Sequence, residues 1–114
     1  TPLCQEEIFG PFAPFLTYDG IDQAIEIANQ SEFGLVAYLW CSDMPTVMRV
    51  QDALQAGTIW VNTPLARDLR APFGGYKNSG VGRTGGLSSR NLFTEEKVVT
   101  MPMQDFPIAK LGLG

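Results

Sequence analysis

The 114-residue sequence predicts one α/β domain built around a mostly parallel sheet. Two observations lead to this class. Segments 20–30 and 44–56 carry apolar residues at helical spacing, and short apolar runs of strand character lie before, between and after them. An order of strand, helix, strand, helix and strand favours parallel strands joined by right-handed crossovers. An apolar content of 45% is enough to bury a core if the pattern cooperates.

The first half of this order is expected to begin with a short strand at about 14–18, inside an extended stretch that contains prolines. Asp19 and Gly20 end that strand, and Asp19 is available to cap a helix over about 20–30. A continuous apolar run at 35–41 predicts a central strand buried on both faces. The apolar stripe of the first helix consists of Ile21, Ala24, Ile25 and Ala28.

The second half begins with a helix that Ser42 or Asp43 caps and in which Pro45 lies in the tolerated first turn. Gly57 follows the helix, and "TIWVN" at 58–62 predicts the next strand. The apolar stripe of this second helix consists of Val47, Val50, Ala53 and Leu54.

The remainder of the chain is expected to hold a long loop over about 62–86, a short helix near 88–92, a closing strand at 97–102 and a tail from 104 to 114. A loop of that length in so small a domain indicates a functional site.

Composition excludes several kinds of function. A net charge of −4 and a pI near 4.6 argue against nucleic-acid binding, which requires clustered Lys and Arg. The chain has no histidine, and Cys4 and Cys41 lack metal-ligand spacing, so no metal site is expected. No apolar run is long enough for a membrane span, and no signal-peptide pattern is present, so a cytoplasmic protein with reduced thiols is expected.

The stretch "GVGRTG" at 80–85 satisfies the G-x-G-x-x-G pattern of dinucleotide-binding loops. That fingerprint needs a buried strand directly before it and a long helix opening from its third glycine, because the pyrophosphate rests on the helix N-terminus. Neither context is present, so a structural glycine turn is the favoured interpretation over phosphate binding.

Four motifs in order resemble the aldehyde dehydrogenase superfamily: "EEIFGP", "VNTP", "PFGGYKNSGVGR" and "FTEEKVV". The resemblance extends to about Met103 and implies the C-terminal piece of a larger enzyme. It implies a fragment of a three-layer catalytic domain at 1–96, an oligomerisation strand at 97–103 and a tail at 104–114. The family's nucleophilic cysteine, general-base glutamate and Rossmann-like cofactor domain would lie outside this sequence, so no catalytic residue is assigned here.

The resemblance also implies an NAD or NADP cofactor, with Glu7 hydrogen-bonded to the ribose beside the nicotinamide and Phe9 packed against the nicotinamide ring. A carboxylate accepts hydroxyl hydrogens and an aromatic face positions a flat ring, so these residue types suit the roles. The alternative is that Glu7 is a surface or helix-start charge and Phe9 a core residue.

The family's aldehyde pocket would here be lined by Thr63, Leu65, Arg67 and Phe73. "RDLRAPFGG" at 67–75 resembles the hydroxymuconic semialdehyde branch, whose substrates carry a carboxylate that an arginine fork can bind. The alternative is that the two arginines of this stretch, Arg67 and Arg70, pair with Asp68 or another loop carboxylate at the surface.

Neither cysteine is a candidate nucleophile. A nucleophilic thiolate needs a nearby cation or helix N-terminus, whereas Cys4 precedes the carboxylates of Glu6 and Glu7, so Cys4 and Cys41 are expected to be packing residues. The resemblance implies a homo-oligomer whose closing strand, with Val98 and Val99, pairs across the subunit boundary.

An ion pair between Arg83 and Glu95 would tie the glycine loop to that strand, by the same resemblance; two solvated charges are the alternative. The competing interpretation of the whole chain is a stand-alone α/β binding or interaction module.

Overall fold

A computed structural model describes residues 2–107 and 112. After a 3₁₀ turn at Pro2–Cys4, the described part of the chain holds three helices and four short strands. The helices are α1 (Gly20–Asn29), α2 (Met44–Ala53) and α3 (Gly86–Phe93); the strands are β1 (Phe33–Gly34), β2 (Val36–Leu39), β3 (Thr58–Val61) and β4 (Tyr76–Lys77).

The parallel pair of strands β2 and β3 confirms the predicted α/β class with a parallel sheet. Val36 lies opposite Thr58 and Leu39 opposite Val61, and helix α2 connects the two strands. The prediction that the 35–41 strand is buried on both faces is wrong for this chain. Tyr38 keeps 45% of its surface exposed because, in the described residues, β3 is the only strand paired with β2.

Helix α2 begins as its sequence predicts. The Asp43 carboxylate accepts a hydrogen bond from the Thr46 backbone N–H at 2.9 Å, and Pro45 lies in the first turn, where its missing N–H costs nothing. Hydrogen bonds from the Thr46 side chain and backbone hold the pKa of Asp43 below its ordinary value. Val47 and Val50 point inward and are each 5% exposed, so α2 supplies the small core beside the sheet.

Helix α1 has the predicted extent, but its N-terminus differs in detail. Asp19 holds the capping position without a side-chain bond to the helix; instead its own N–H donates to the Gln23 side chain. At the other end, the Asn29 amide donates to the Ala53 carbonyl at 2.8 Å and accepts from the Gln55 N–H at 2.9 Å. This two-sided bond joins the C-terminal ends of α1 and α2.

A second pair of strands was not predicted. β1 and β4 pair antiparallel, with Phe33 opposite Lys77 and Gly34 opposite Tyr76. The expected strand at 14–18 is wrong, because those residues pair with no other backbone among the described residues. The pairing places the glycine-rich loop against the segment that follows α1.

Residues 94–102 form neither helix nor strand. A strand is defined by its paired neighbour, and the closing strand at 97–102 is expected to pair with another subunit, so it stays a prediction. The boundaries at 96 and 103 stay predictions as well. Of the expected tail, residues 108–111, 113 and 114 lie outside the described residues, as does Thr1.

The chain exposes far more surface than a self-contained domain of its size. Its accessible area is 9952 Å², whereas a compact protein of 12.5 kDa exposes roughly 6,200 Å². The radius of gyration is 22.7 Å against about 13 Å for a compact chain of this length. Many large apolar side chains are exposed, including Phe9, Phe15, Val81, Val98 and Met103. Such faces indicate a surface that other protein covers.

Candidate functional site

The loop over 62–73 leaves the carboxyl end of strand β3, and Asn62 fixes its start. The Asn62 N–H continues the parallel ladder to the Leu39 carbonyl at 2.9 Å. Its side chain then bonds both backbone groups of Cys41, accepting from the N–H at 2.8 Å and donating to the carbonyl at 2.7 Å. Asn62 has a φ of 54°, in the left-handed region that asparagine tolerates, so the chain turns sharply out of the sheet.

Trp60 holds the same loop from its other side. The Trp60 ring stacks on Tyr38 with centroids 5.2 Å apart, and its indole N–H donates to the Ala66 carbonyl at 2.6 Å. Leu65, which precedes Ala66, has a φ of 53° and is 69% exposed. The loop therefore presents an apolar side chain outward from a strained backbone position.

Two of the predicted pocket residues meet at the far end of the loop. The Arg67 guanidinium lies over the Phe73 ring, 5.8 Å from the centroid, which is cation–π distance. Phe73 is 36% exposed, and Arg67 is exposed as well. Thr63 is half-buried at the beginning of the loop. The loop thus places a cation, an aromatic face and an apolar side chain on one short segment.

The second arginine of this loop is occupied by a neighbour. The Arg70 backbone N–H, Nε and Nη2 all donate to the Asp68 carboxylate, at 2.9, 3.0 and 2.9 Å. Hydrogen bonds from the Arg70 side chain and then its backbone lower the pKa of Asp68, and the same pair raises the pKa of Arg70. The surface-pair interpretation is confirmed for Arg70. Within residues 2–107 and 112, Arg67 forms no salt bridge.

Phe73 is anchored by a two-way backbone bridge to the glycine-rich loop. The Phe73 N–H donates to the Thr84 carbonyl at 2.7 Å, and the Thr84 N–H donates back at 2.8 Å. Gly80, Gly82 and Gly85 of "GVGRTG" all have positive φ, and helix α3 begins directly after Gly85 and spans eight residues. This geometry supports the interpretation of a structural glycine turn.

Arg83 stabilises that turn from inside. Its Nη1 donates to the carbonyls of Gly75 and Gly82 at 2.8 and 2.7 Å, and its guanidinium lies 5.3 Å from the centre of the Tyr76 ring. The ion pair expected with Glu95 is not formed among the described residues, because the guanidinium is bonded to backbone carbonyls instead. An interface role for Arg83 and Glu95 stays a prediction.

The two residues expected to bind cofactor lie on the N-terminal segment. Phe9 is 93% exposed and has a φ of 50°, and Glu7 is exposed as well. Glu7, Phe9 and their neighbours line a shallow concave surface. In the part of the chain that the structure describes, no hydrogen bond or ring contact joins these two residues to the 62–73 loop.

Other chemistry-bearing groups lie apart. Cys4 and Cys41 are half-exposed and are not joined in a disulfide, and the Cys41 thiol lies 3.6 Å from the Asp43 carbonyl. Within the described ranges, no group of three or more His, Cys, Asp or Glu side chains is placed to hold a metal ion. Nor does any described helix have the length and apolar character needed to cross a membrane.

Comparison with known proteins decides the family. Residues 1–99 match the aldehyde dehydrogenase family. The chain belongs to that family. It is 48% identical over 99 residues to 2-aminomuconic semialdehyde dehydrogenase of Danio rerio, a match covering 87% of this chain and 20% of the relative. It is 42% identical over 98 residues to 2-hydroxymuconic semialdehyde dehydrogenase of Pseudomonas sp. strain CF600, covering 86% and 20%.

The fold agrees with this assignment to the aldehyde dehydrogenases. The crystal structure of a Mycobacterium tuberculosis aldehyde dehydrogenase complexed with NAD+ matches with a TM-score of 0.81 and 41% identity, over 92% of this chain and 22% of that one. The chain therefore spans about a fifth of the length of its relatives. The resemblance predicted from the four motifs is confirmed, including similarity to muconic semialdehyde dehydrogenases.

Sequence reasoning missed the contributions of Trp60 and Asn62 to this aldehyde dehydrogenase segment. Both belong to "TIWVN", which the sequence pattern identifies as a strand and, at Val61 and Asn62, as part of the "VNTP" motif, without a role for either side chain. The available signal was an asparagine at the end of an apolar strand, a residue that adopts the left-handed conformation and bonds backbone groups with its amide. The indole bond to Ala66 has no sequence signature.

Proposed function

We propose that this chain is the part of an NAD(P)-dependent aldehyde dehydrogenase that supplies cofactor, substrate-pocket and subunit-interface residues for oxidation of an aldehyde to a carboxylic acid. Family membership and the names of its relatives support aldehyde oxidation. The nucleophilic cysteine and general-base glutamate would come from other parts of the enzyme, so the 114 residues alone would be inactive. The large uncovered apolar surface argues against the alternative of a stand-alone binding module.

The substrate class that the loop favours is a small aldehyde that also carries a carboxylate. The observation that carries this proposal is that Asp68 neutralises Arg70 while Arg67 lies on Phe73 without a carboxylate partner in the described residues. A guanidinium at cation–π distance from an aromatic ring can still donate two parallel hydrogen bonds to a carboxylate. Leu65 and Phe73 would contact the carbon chain of a semialdehyde.

The cofactor would be NAD or NADP, bound together with the Rossmann-like domain that the family provides. The exposed Glu7 carboxylate and the outward Phe9 ring fit a ribose and a nicotinamide respectively. When bound, the nicotinamide supplies the hydride acceptor for the oxidation. The NAD+ complex of the similar M. tuberculosis enzyme supports this cofactor class.

The closing segment would form the subunit interface of a homo-oligomer. Val98 and Val99 are 89% and 68% exposed, and the backbone of 97–102 pairs with no strand in the part of the chain that the structure describes. A partner sheet would cover these side chains and satisfy these backbone groups by strand addition.

The test of the substrate class is Arg67→Ala in the complete enzyme, with Arg70→Ala as the matched control. Loss of a charge-assisted pair to the substrate carboxylate should raise KM for a carboxylate-bearing semialdehyde by about tenfold or more. The KM for a neutral aldehyde of similar size should change far less, and Arg70→Ala should leave both near wild type. Equal effects of Arg67→Ala on both substrates would assign Arg67 to structure instead.

A further inference from the structure

The side chains of Trp60 and Asn62 hydrogen-bond the first part of the 62–73 loop or anchor its start, and these bonds suggest a role in substrate choice. We propose that Trp60 and Asn62 are positioning residues that fix this loop in the shape that presents Leu65 and Arg67 to the substrate. The inference rests on the proposed function and deepens it. Neither residue need touch the aldehyde, because each acts through the backbone of the loop.

The loop needs external support because its backbone is strained. Asn62 and Leu65 both have φ near +50°, a region that costs an ordinary L-residue free energy and that a leucine rarely adopts. Such a conformation persists only where the surroundings determine it. The side-chain amide of Asn62 and the indole N–H of Trp60 are the groups that do so here.

The two bonds act at the points that control the pocket side chains. Ala66, whose carbonyl accepts the indole hydrogen bond at 2.6 Å, lies between Leu65 and Arg67 in the sequence. Fixing that carbonyl fixes the direction in which its two neighbours leave the backbone. The bonds from Asn62 to Cys41 anchor the other end of the loop to the sheet at 2.8 and 2.7 Å. A small displacement of either anchor would move both pocket side chains together.

Two variants remove these anchors with little other change. Trp60→Phe keeps a ring that can stack on Tyr38 but removes the N–H donor. Asn62→Gly removes the side-chain bonds while keeping a residue that tolerates a positive φ. Each variant has a matched control. Tyr38→Phe keeps the ring stack with Trp60. Asn29→Ala removes a pair of side-chain amide bonds, to Ala53 and Gln55, that lies outside the 62–73 loop.

The measurement is KM and kcat of the complete enzyme for a carboxylate-bearing semialdehyde, together with KM for NAD. Trp60→Phe loses one neutral hydrogen bond and is expected to raise the aldehyde KM by about three- to tenfold. Asn62→Gly loses two such bonds and is expected to raise it by at least as much. The change in kcat should be smaller, and KM for NAD and both control variants should stay near wild type. This pattern would support positioning, because general loss of stability would affect both substrates alike.

Two results would overturn the inference, and they differ from failure of the proposed function. An unchanged aldehyde KM in both variants would show that the anchors do not control the pocket. An equal rise in Tyr38→Phe and Asn29→Ala would assign the effect to general stability. An enzyme that oxidises no aldehyde at all would overturn the proposed function and this inference with it.

Discussion

At the scale of single residues, the end of the 62–73 loop depends on a close approach between Gly57 and Gly74. Gly57 lies at the entrance to β3, and a Cβ at this position would overlap the Gly74 carbonyl oxygen. The Gly57 N–H also donates to the Gly34 carbonyl at 3.0 Å. The close approach of Gly57 to Gly74 brings the "PFGG" segment against the start of β3. The position of Phe73 therefore depends on the missing side chain of Gly57 as well as on the backbone bridge to Thr84.

Gly57→Ala should therefore destabilise the enzyme by about 1–3 kcal/mol or more, because the overlap is with rigid backbone. Gly10→Ala is the control, since the nearest atoms to its added Cβ are those of Ile8 at 4.0 Å. Denaturant unfolding of both variants measures the free energy of unfolding. Equal stability of the two variants would show that the backbone at Gly74 can shift with little loss of stability.

At the scale of elements, helix α2 depends on an ionised cap. Asp43 bonds Thr46 in its charged form, so its pKa is lowered relative to the unfolded chain. A lowered pKa contributes stability that is present above the ordinary aspartate value of about 3.9 and is lost as the pH falls through the lower folded value. The start of α2 should therefore be unaffected near neutral pH and loosen only in acid.

The chemical shift of the Thr46 amide proton, followed from about pH 7 to about pH 2.5, measures this titration. The midpoint should lie below about 3.9, and Asp43→Asn, which keeps an acceptor but does not titrate, should abolish the step. A midpoint at or above the ordinary value would contradict the bond that the structure shows between Asp43 and the helix.

The elements that sequence reasoning located are those with a local cause. Helices α1 and α2 follow from apolar spacing, and β2 and β3 follow from apolar runs bounded by turn residues. The pairing of β1 with β4 joins Phe33 to Lys77 across more than 40 residues and has no local pattern. The expected strand at 14–18 failed for a related reason, because its composition suits a strand but no described backbone lies beside it.

In the candidate site, the sequence located residues but not all of their contacts. Family motifs located Arg67 and Phe73, and the structure brings this pair together. Residue types alone left the partner of Arg70 open, and geometry assigned it to Asp68. The expected ion pair required the glycine loop with Arg83 to contact the 94–102 segment with Glu95, which forms no helix or strand. Arg83 instead donates to the carbonyls of Gly75 and Gly82.

At the scale of the whole molecule, the uncovered apolar surface decides how this segment behaves alone. Only Val47 and Val50 are buried apolar side chains among the described residues, while Phe15 and Trp40 are 95% and 65% exposed. Apolar burial is the main favourable contribution to folding, so two buried valines cannot offset the conformational entropy of the ordered chain. We therefore expect the segment to depend on surrounding protein for its stability.

The purified 114-residue chain should accordingly bind an apolar dye such as ANS strongly and unfold on heating without a sharp cooperative transition. Phe15→Ser and Trp40→Gln remove exposed apolar area and should lower dye binding without lowering stability, since neither side chain belongs to the small core. Val47→Ala, in contrast, creates a cavity and should loosen the chain further, increasing dye binding. Weak dye binding with a sharp calorimetric transition would show that the segment folds by itself, and it would restore the stand-alone module as an interpretation.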